Sequence, residues 1–177
     1  AYEDMLRDVT KHGFEPIPTH VGYPDWPLVT LHGHEAFLEP ARGEGISYRG
    51  ASGWANDWIT NWTDTNAYPW WPLRVVRPGR FEVALLYVCS RENLGTRFRV
   101  EVGGRTVEGT VRQAHDPAPI HSPDRVARGE VYEKVWARLP LGTVELTTGE
   151  CRLMLRALEI PGHQAADIKA VQLKRTD

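Results

Sequence analysis

From Phe81 to Cys89 every second residue is apolar, while Arg80 and Glu82 face the other way. A period of two belongs to a strand with one buried face. The run before it, Trp70 to Val76, ends at Pro78-Gly79, so strand, turn and strand follow one another. Phe98, Val100 and Val102 alternate with Arg97, Arg99 and Glu101, and Gly103-Gly104 predicts a tight hairpin into a strand over 106–113. Further strands are expected near 131–139, 143–147, 151–158 and 168–174, with Thr148-Gly149 turning between the second and third. About eight or more short strands with frequent turns describe an all-β, jelly-roll-like antiparallel β-sandwich.

The chain opens on a different period. Tyr2, Met5, Leu6 and Val9 fall at i, i+3, i+4 and i+7, which predicts one short N-terminal helix over residues 2–12. Lys11 and His12 suit its negative C-terminal end, and Gly13 suits a left-handed cap. A lone helix cannot bury its own stripe, so this one is expected to pack on the sandwich or on a neighbour outside the sequence. Pro16, Pro18, Pro24 and Pro27 make residues 14–27 an extended linker. The expected organisation is therefore 1–27, helix and Pro-rich linker, then 28–177, β-sandwich.

Composition narrows the function classes. With 177 residues the chain makes one domain with a short appendage. A net charge of −2 and a pI near 6.4 leave no basic excess for nucleic acid or a membrane surface. No apolar run approaches the ~18 residues of a membrane span. Cys89 and Cys151 both sit in apolar strands, where buried free thiols are favoured over a disulfide. Six of the seven tryptophans lie between Trp26 and Trp71, offering flat faces to a core, an interface or a sugar.

Candidate chemistry concentrates in two places. The proline-bearing loop 114–130 gathers His115, Asp116, Asp124 and Arg125, with Tyr132 and Lys134 just beyond. Such groups either tie a long loop to the sandwich or clamp a ligand anion, for which an arginine fork is suited. Trp54, Trp58 and Trp62 recur every four residues, but Gly50, Gly53 and Asn56-Asp57 argue against a helix there. They cover a core edge, or with Asn61 they form a sugar platform. His32, His34 and Glu35 supply too few ligands for zinc, and Glu39 with Asp167 too few for calcium. No nucleophile elbow or phosphate loop is present, so neither catalytic nor metal residues are expected.

Several short motifs in order carry a resemblance. Ala114-His115-Asp116-Pro117, Pro123-Asp124-Arg125-Val126, Gly129 to Lys134, Leu141 to Leu146, Leu153 to Gly162 and Asn61-Trp62-Thr63 are similar to the C-terminal β-sandwich extension of bacterial arylsulfatases of the alkaline-phosphatase-like superfamily. Tyr2 to Thr10 and Thr19 to Gly22 resemble the segment where those enzymes leave their catalytic part. The resemblance implies a partner in cis, the sulfatase catalytic domain, and a periplasmic or secreted setting. Calcium and formylglycine would belong to that other domain. Cys89 is followed by Ser90-Arg91-Glu92-Asn93 and Cys151 by Arg152-Leu153-Met154-Leu155, so neither stands in the C/S-x-P-x-R motif a sulfatase needs. The implied role is an accessory domain that packs on the catalytic part and shapes substrate access. More loosely, Trp70–Val76 with Pro78 to Val83 resembles carbohydrate-binding jelly rolls of galactose-binding-like fold. That implies a module for sulfated glycans, and an oligomerisation domain is the third alternative.

Overall fold

In a computed structural model of the chain, residues 2–11, 16–40, 44–50, 53–123, 125–126 and 129–177 are described. One helix, α1 (Tyr2–Thr10), precedes the strands β1 (Thr19–Val21), β2 (Leu28–His32), β3 (Phe37–Glu39), β4 (Ser47–Tyr48), β5 (Ile59–Thr60) and β6 (Tyr68–Val75). They are followed by β7 (Gly79–Val88), β8 (Arg97–Val102), β9 (Arg105–Thr110), β10 (Ala137–Leu146), β11 (Gly149–Glu159) and β12 (Asp167–Arg175). Two sheets face one another. The first runs β1-β6-β11-β8-β9, with β3 also on β6; the second runs β10-β7-β12-β5-β4, with β2 also on β12. This is the expected sandwich with its one short helix.

The period-two pattern decides which residues meet between the sheets. Phe81, Val83, Leu85 and Tyr87 of β7, and Phe98, Val100 and Val102 of β8, are all buried in one core. Trp71, Leu73 and Val75 join them from β6, which leaves Tyr68, Trp70 and Pro72 on the outer face of the first sheet. The indole of Trp71 donates to His32 O at 2.8 Å, satisfying the one polar atom it carries inward. Gly103 and Gly104, at φ 54° and 74°, close the two-residue hairpin from β8 to β9, a geometry that side chains disfavour.

The strand–turn–strand passage around Pro78-Gly79 is present as expected, and its turn crosses between sheets, β6 lying in the first and β7 in the second. Several other sequence expectations are corrected. The strands expected near 131–139 and 143–147 are one strand, β10, carrying Pro140 beside a bulge. Pro140 is tolerated because β10 is an edge strand. Residues 131–136 are irregular and lengthen the loop ahead of it. Within the expected linker, Thr19–Val21 pairs in parallel with Leu73–Val75, so part of that segment belongs to the sandwich. His12 and Gly13 lie outside the described residues.

The helix stripe is not buried. Tyr2, Met5, Leu6 and Val9 are all exposed. Replacing Met5 and Leu6 together by glutamate is therefore expected to move the unfolding free energy by no more than about 0.5 kcal/mol. A urea melt of the double variant checks this, and a clear loss of stability would put the stripe against the sandwich after all.

Candidate functional site

Where β7 ends and β12 begins, Val88 pairs with Asp167. Beyond this pair three connections meet: the short 3-10 turn Arg91–Asn93 with Cys89 and Ser90, the residues about Asp116 and Lys134, and 160–166. They enclose a cavity of about 340 Å³ lined mainly by polar residues, including Glu92, Asn93, Asp116, Lys134, His163, Gln164 and Asp167. Pockets that hold small ligands begin at roughly this size.

Asp167 forms the floor, and its environment is fixed by strand pairing. Ile168 pairs with Ile59, which brings Trp58 and Thr60 alongside. Asp167 Oδ2 accepts from Trp58 Nε1 at 3.0 Å. Oδ1 accepts from Thr60 Oγ1 at 2.8 Å and from Gln164 Nε2 at 3.1 Å. Burial pushes the carboxyl above its ordinary range, and the bonds from Thr60 and Trp58 pull partly against that. With both oxygens engaged, this group is a structural acceptor rather than a free base.

The walls are held by a second network. Lys134 Nζ lies 2.9 Å from Asp116 Oδ1. Its neighbour Glu133 ties the loop to β12 through Lys169, Nζ to Oε2 at 2.9 Å, and accepts the indole N–H of Trp136. Burial pushes the Glu133 carboxyl up, but the Lys169 and Trp136 bonds, with the Lys134 amide, outweigh it and hold the group below its ordinary range. Trp136 packs edge-on against Trp58, centroids 5.2 Å apart. On the far wall, Asn93 Oδ1 accepts from the amides of His163 at 3.0 Å and Gln164 at 3.4 Å. Gly162 permits this approach: a Cβ there would meet Asn93 Oδ1 at 2.3 Å and Glu92 O at 2.4 Å. Cys89 also lines the cavity, but burial raises its thiol to about 11, so it stands neutral and poorly nucleophilic near pH 7.

The residues expected from sequence divide sharply. Asp116 lines the cavity, and Trp58 supports its floor from behind. Trp58 is no sugar platform, because at 3% exposure it is covered, with Trp136 against it and the Lys134 ammonium 6.0 Å from its ring centroid. Trp62, 1% exposed, is wholly internal, packing against Phe98 and donating to Ala67 O and Asp64 O. Asn61 turns outward in the left-handed region (φ 49°) and donates to Ser47 Oγ. His115 anchors its loop: its backbone exchanges two hydrogen bonds with Cys89, and Nε2 donates to Val135 O at 2.8 Å. Arg125 is exposed and Tyr132 half-buried, and neither lines the cavity. Asp124 lies outside the described residues. Glu39 sits on the other sheet from Asp167, whose oxygens face donors, so the two do not form a calcium pair. His32 and His34 stack, centroids 5.3 Å apart, but no cluster of three or more metal-ligating side chains occurs among the described residues. Glu92, Asn93, His163 and Gln164 were not singled out from sequence; they sit in short loops with no periodicity to mark them.

No protein-family model matches the chain, and no curated protein matches it. Solved structures do match its fold. A GH26-CBM35 β-(1,4)-mannanase from Podospora anserina aligns with 85% of the chain at a TM-score of 0.58 and 12% identity. A family 35 carbohydrate binding module from Clostridium thermocellum aligns with 82% at 0.54 and 10% identity. The chain shares the fold of such modules. A third match, the C-terminal CBM6 of the laminarinase LamC from Zobellia galactanivorans, covers 84% at 0.54 and 11% identity. The chain spans 28% of the mannanase, but 96% and 99% of the two separate modules are covered. Identities this low establish fold and nothing finer. The resemblance to sulfatase extensions gains no support from them. No helix among the described residues is long and apolar enough to cross a membrane.

Proposed function

We propose that the chain is a non-catalytic carbohydrate-binding module whose sugar site is the cavity above Asp167. The observation that carries this reading is the cavity's build. Carboxylates, amides, an imidazole and an ammonium converge on about 340 Å³, and the buried members are already fixed by hydrogen bonds to one another. A sugar presents hydroxyls that both donate and accept, so a wall mixing Glu92, Asp116, Asn93 and Lys134 matches it. Pre-fixed partners reduce the ordering cost of binding. The fold shared with carbohydrate-binding modules supports the same reading.

Calorimetric titration of the protein with a panel of mono- and oligosaccharides tests it. The double variant Glu92→Ala/Asp116→Ala is expected to weaken the best ligand at least tenfold. Its stability should change by no more than about 1 kcal/mol, since both side chains are exposed. Silence across the panel, or unaltered affinity in the variant, would defeat the proposal.

A second reading is favoured by the exposed stripe of α1. It supports a module that sits beside a catalytic domain in cis and uses Tyr2, Met5, Leu6 and Val9 to pack on it. The sulfatase resemblance offers a calcium- and formylglycine-dependent sulfatase, periplasmic or secreted, as that neighbour. The two readings are compatible, because the stripe and the cavity involve different residues.

A further inference from the structure

The outer face of the first sheet carries a second cluster that the cavity does not use. Phe37 of β3 stands directly opposite Trp70 of β6 and stacks on it, ring centroids 4.6 Å apart and planes 23° from parallel. On the other side of β6, the Arg152 guanidinium of β11 lies 4.3 Å from the Trp70 ring centroid. One row along, the Arg156 guanidinium lies 3.5 Å from the centre of the Tyr68 ring. Both arginines are within the reach of a cation–π contact, which engages the charge without using the N–H groups as hydrogen-bond donors to an acceptor atom.

Arg97 and Arg99, on the neighbouring β8, are bound to Glu108, Glu159 and Glu101. Among the described residues neither Arg152 nor Arg156 has a carboxylate partner. Arg152 further borders a groove of about 500 Å³ whose lining includes Pro16, Pro18, Trp70 and Pro72. Glu150 lines the same groove, and Arg74 stands opposite it in the strand register. Among the described residues the face therefore carries two ring-anchored guanidinium forks with no carboxylate partner, beside arginines that have one.

From this arrangement we infer a second glycan surface, selective for polysaccharides bearing widely spaced anionic groups, carboxylate or sulfate. Arg152 and Arg156 are four residues apart on one strand, roughly 13 Å, so one extended chain reaches both. Each fork takes one anion by paired N–H bonds, while Phe37, 41% exposed, gives the sugar ring an apolar face. A densely charged polyanion is disfavoured, because Glu150 and Glu39 lie on or beside the same strands. The surface is independent of the cavity above Asp167.

Affinity electrophoresis of the whole protein through polygalacturonate, a sparsely sulfated galactan and a neutral galactan tests the inference. Retardation is expected in either anionic gel, or in both, and to be at least tenfold weaker in the neutral one. Which anionic gel retards tells carboxylate from sulfate. Arg152→Gln/Arg156→Gln is expected to remove the anionic preference with an unchanged melting point. Glu92→Ala/Asp116→Ala should keep it, which separates failure here from failure of the cavity reading. Retardation of the unmodified protein should fall as salt is raised, since exposed charges are screened. Equal retardation in all three gels, no retardation at all, or an undiminished preference in the arginine variant would overturn it.

Discussion

Trp62→Ala is expected to cost the fold about 3–5 kcal/mol, the range for deleting a large aromatic from a core. For a domain of this size that is a melting point lower by roughly 6–20 °C. The indole is 1% exposed, fills space against Phe98, and its N–H is shared between the carbonyls of Asp64 and Ala67 at 3.0 and 3.1 Å. Removal leaves a cavity and takes the indole donor from Ala67 O, while Asp64 O keeps the Ala67 amide at 3.1 Å. Thermal unfolding followed by circular dichroism measures the loss, and an unchanged melting point would mean that Trp62 does not sit where the fold places it. The consequence for function is direct. Any loss of sugar binding in this variant reports unfolding, not a lost platform.

Asp167→Asn should destabilise the protein by about 1–3 kcal/mol, although it changes almost no volume. Three donors converge on the carboxylate, from Trp58, Thr60 and Gln164, and an amide presents an NH₂ to at least one of them. The pH dependence has a definite sign. Burial raises the folded-state value above the ordinary 3.8, so between the two values the native state holds more protons than the unfolded chain. This group's contribution is therefore fully present below the ordinary value and is lost as pH rises through the folded one. The stability difference between wild type and variant isolates Asp167 from the other carboxylates, and it should shrink over that window. A difference that grows with pH would show that the donors dominate and hold the carboxyl low. Sugar affinity should fall with the same substitution, because the floor of the cavity orients Gln164.

The sequence by itself determined the strands and the two faces of the sandwich. Phe81-Val83-Leu85-Tyr87 and Phe98-Val100-Val102 announce their buried side through a period of two, which is a local property of the pleat. Gly103-Gly104 announced its hairpin for an equally local reason, the positive φ of both positions. The helical stripe at Tyr2, Met5, Leu6 and Val9 was equally plain, but not what covers it. What only the tertiary structure decided depends on contacts distant in the chain. Trp58, Trp62 and Trp70 look alike as residues. Register placed Trp58 behind Asp167, packing enclosed Trp62, and the parity of β6 turned Trp70 outward beneath Arg152. The cavity likewise unites Glu92 and Asn93 with Asp116, Lys134 and Gln164 through the pairing of β7 with β12. Loops have no periodicity, so no reading along the chain reveals which of their polar side chains will meet. That is set by where the strands beneath them end.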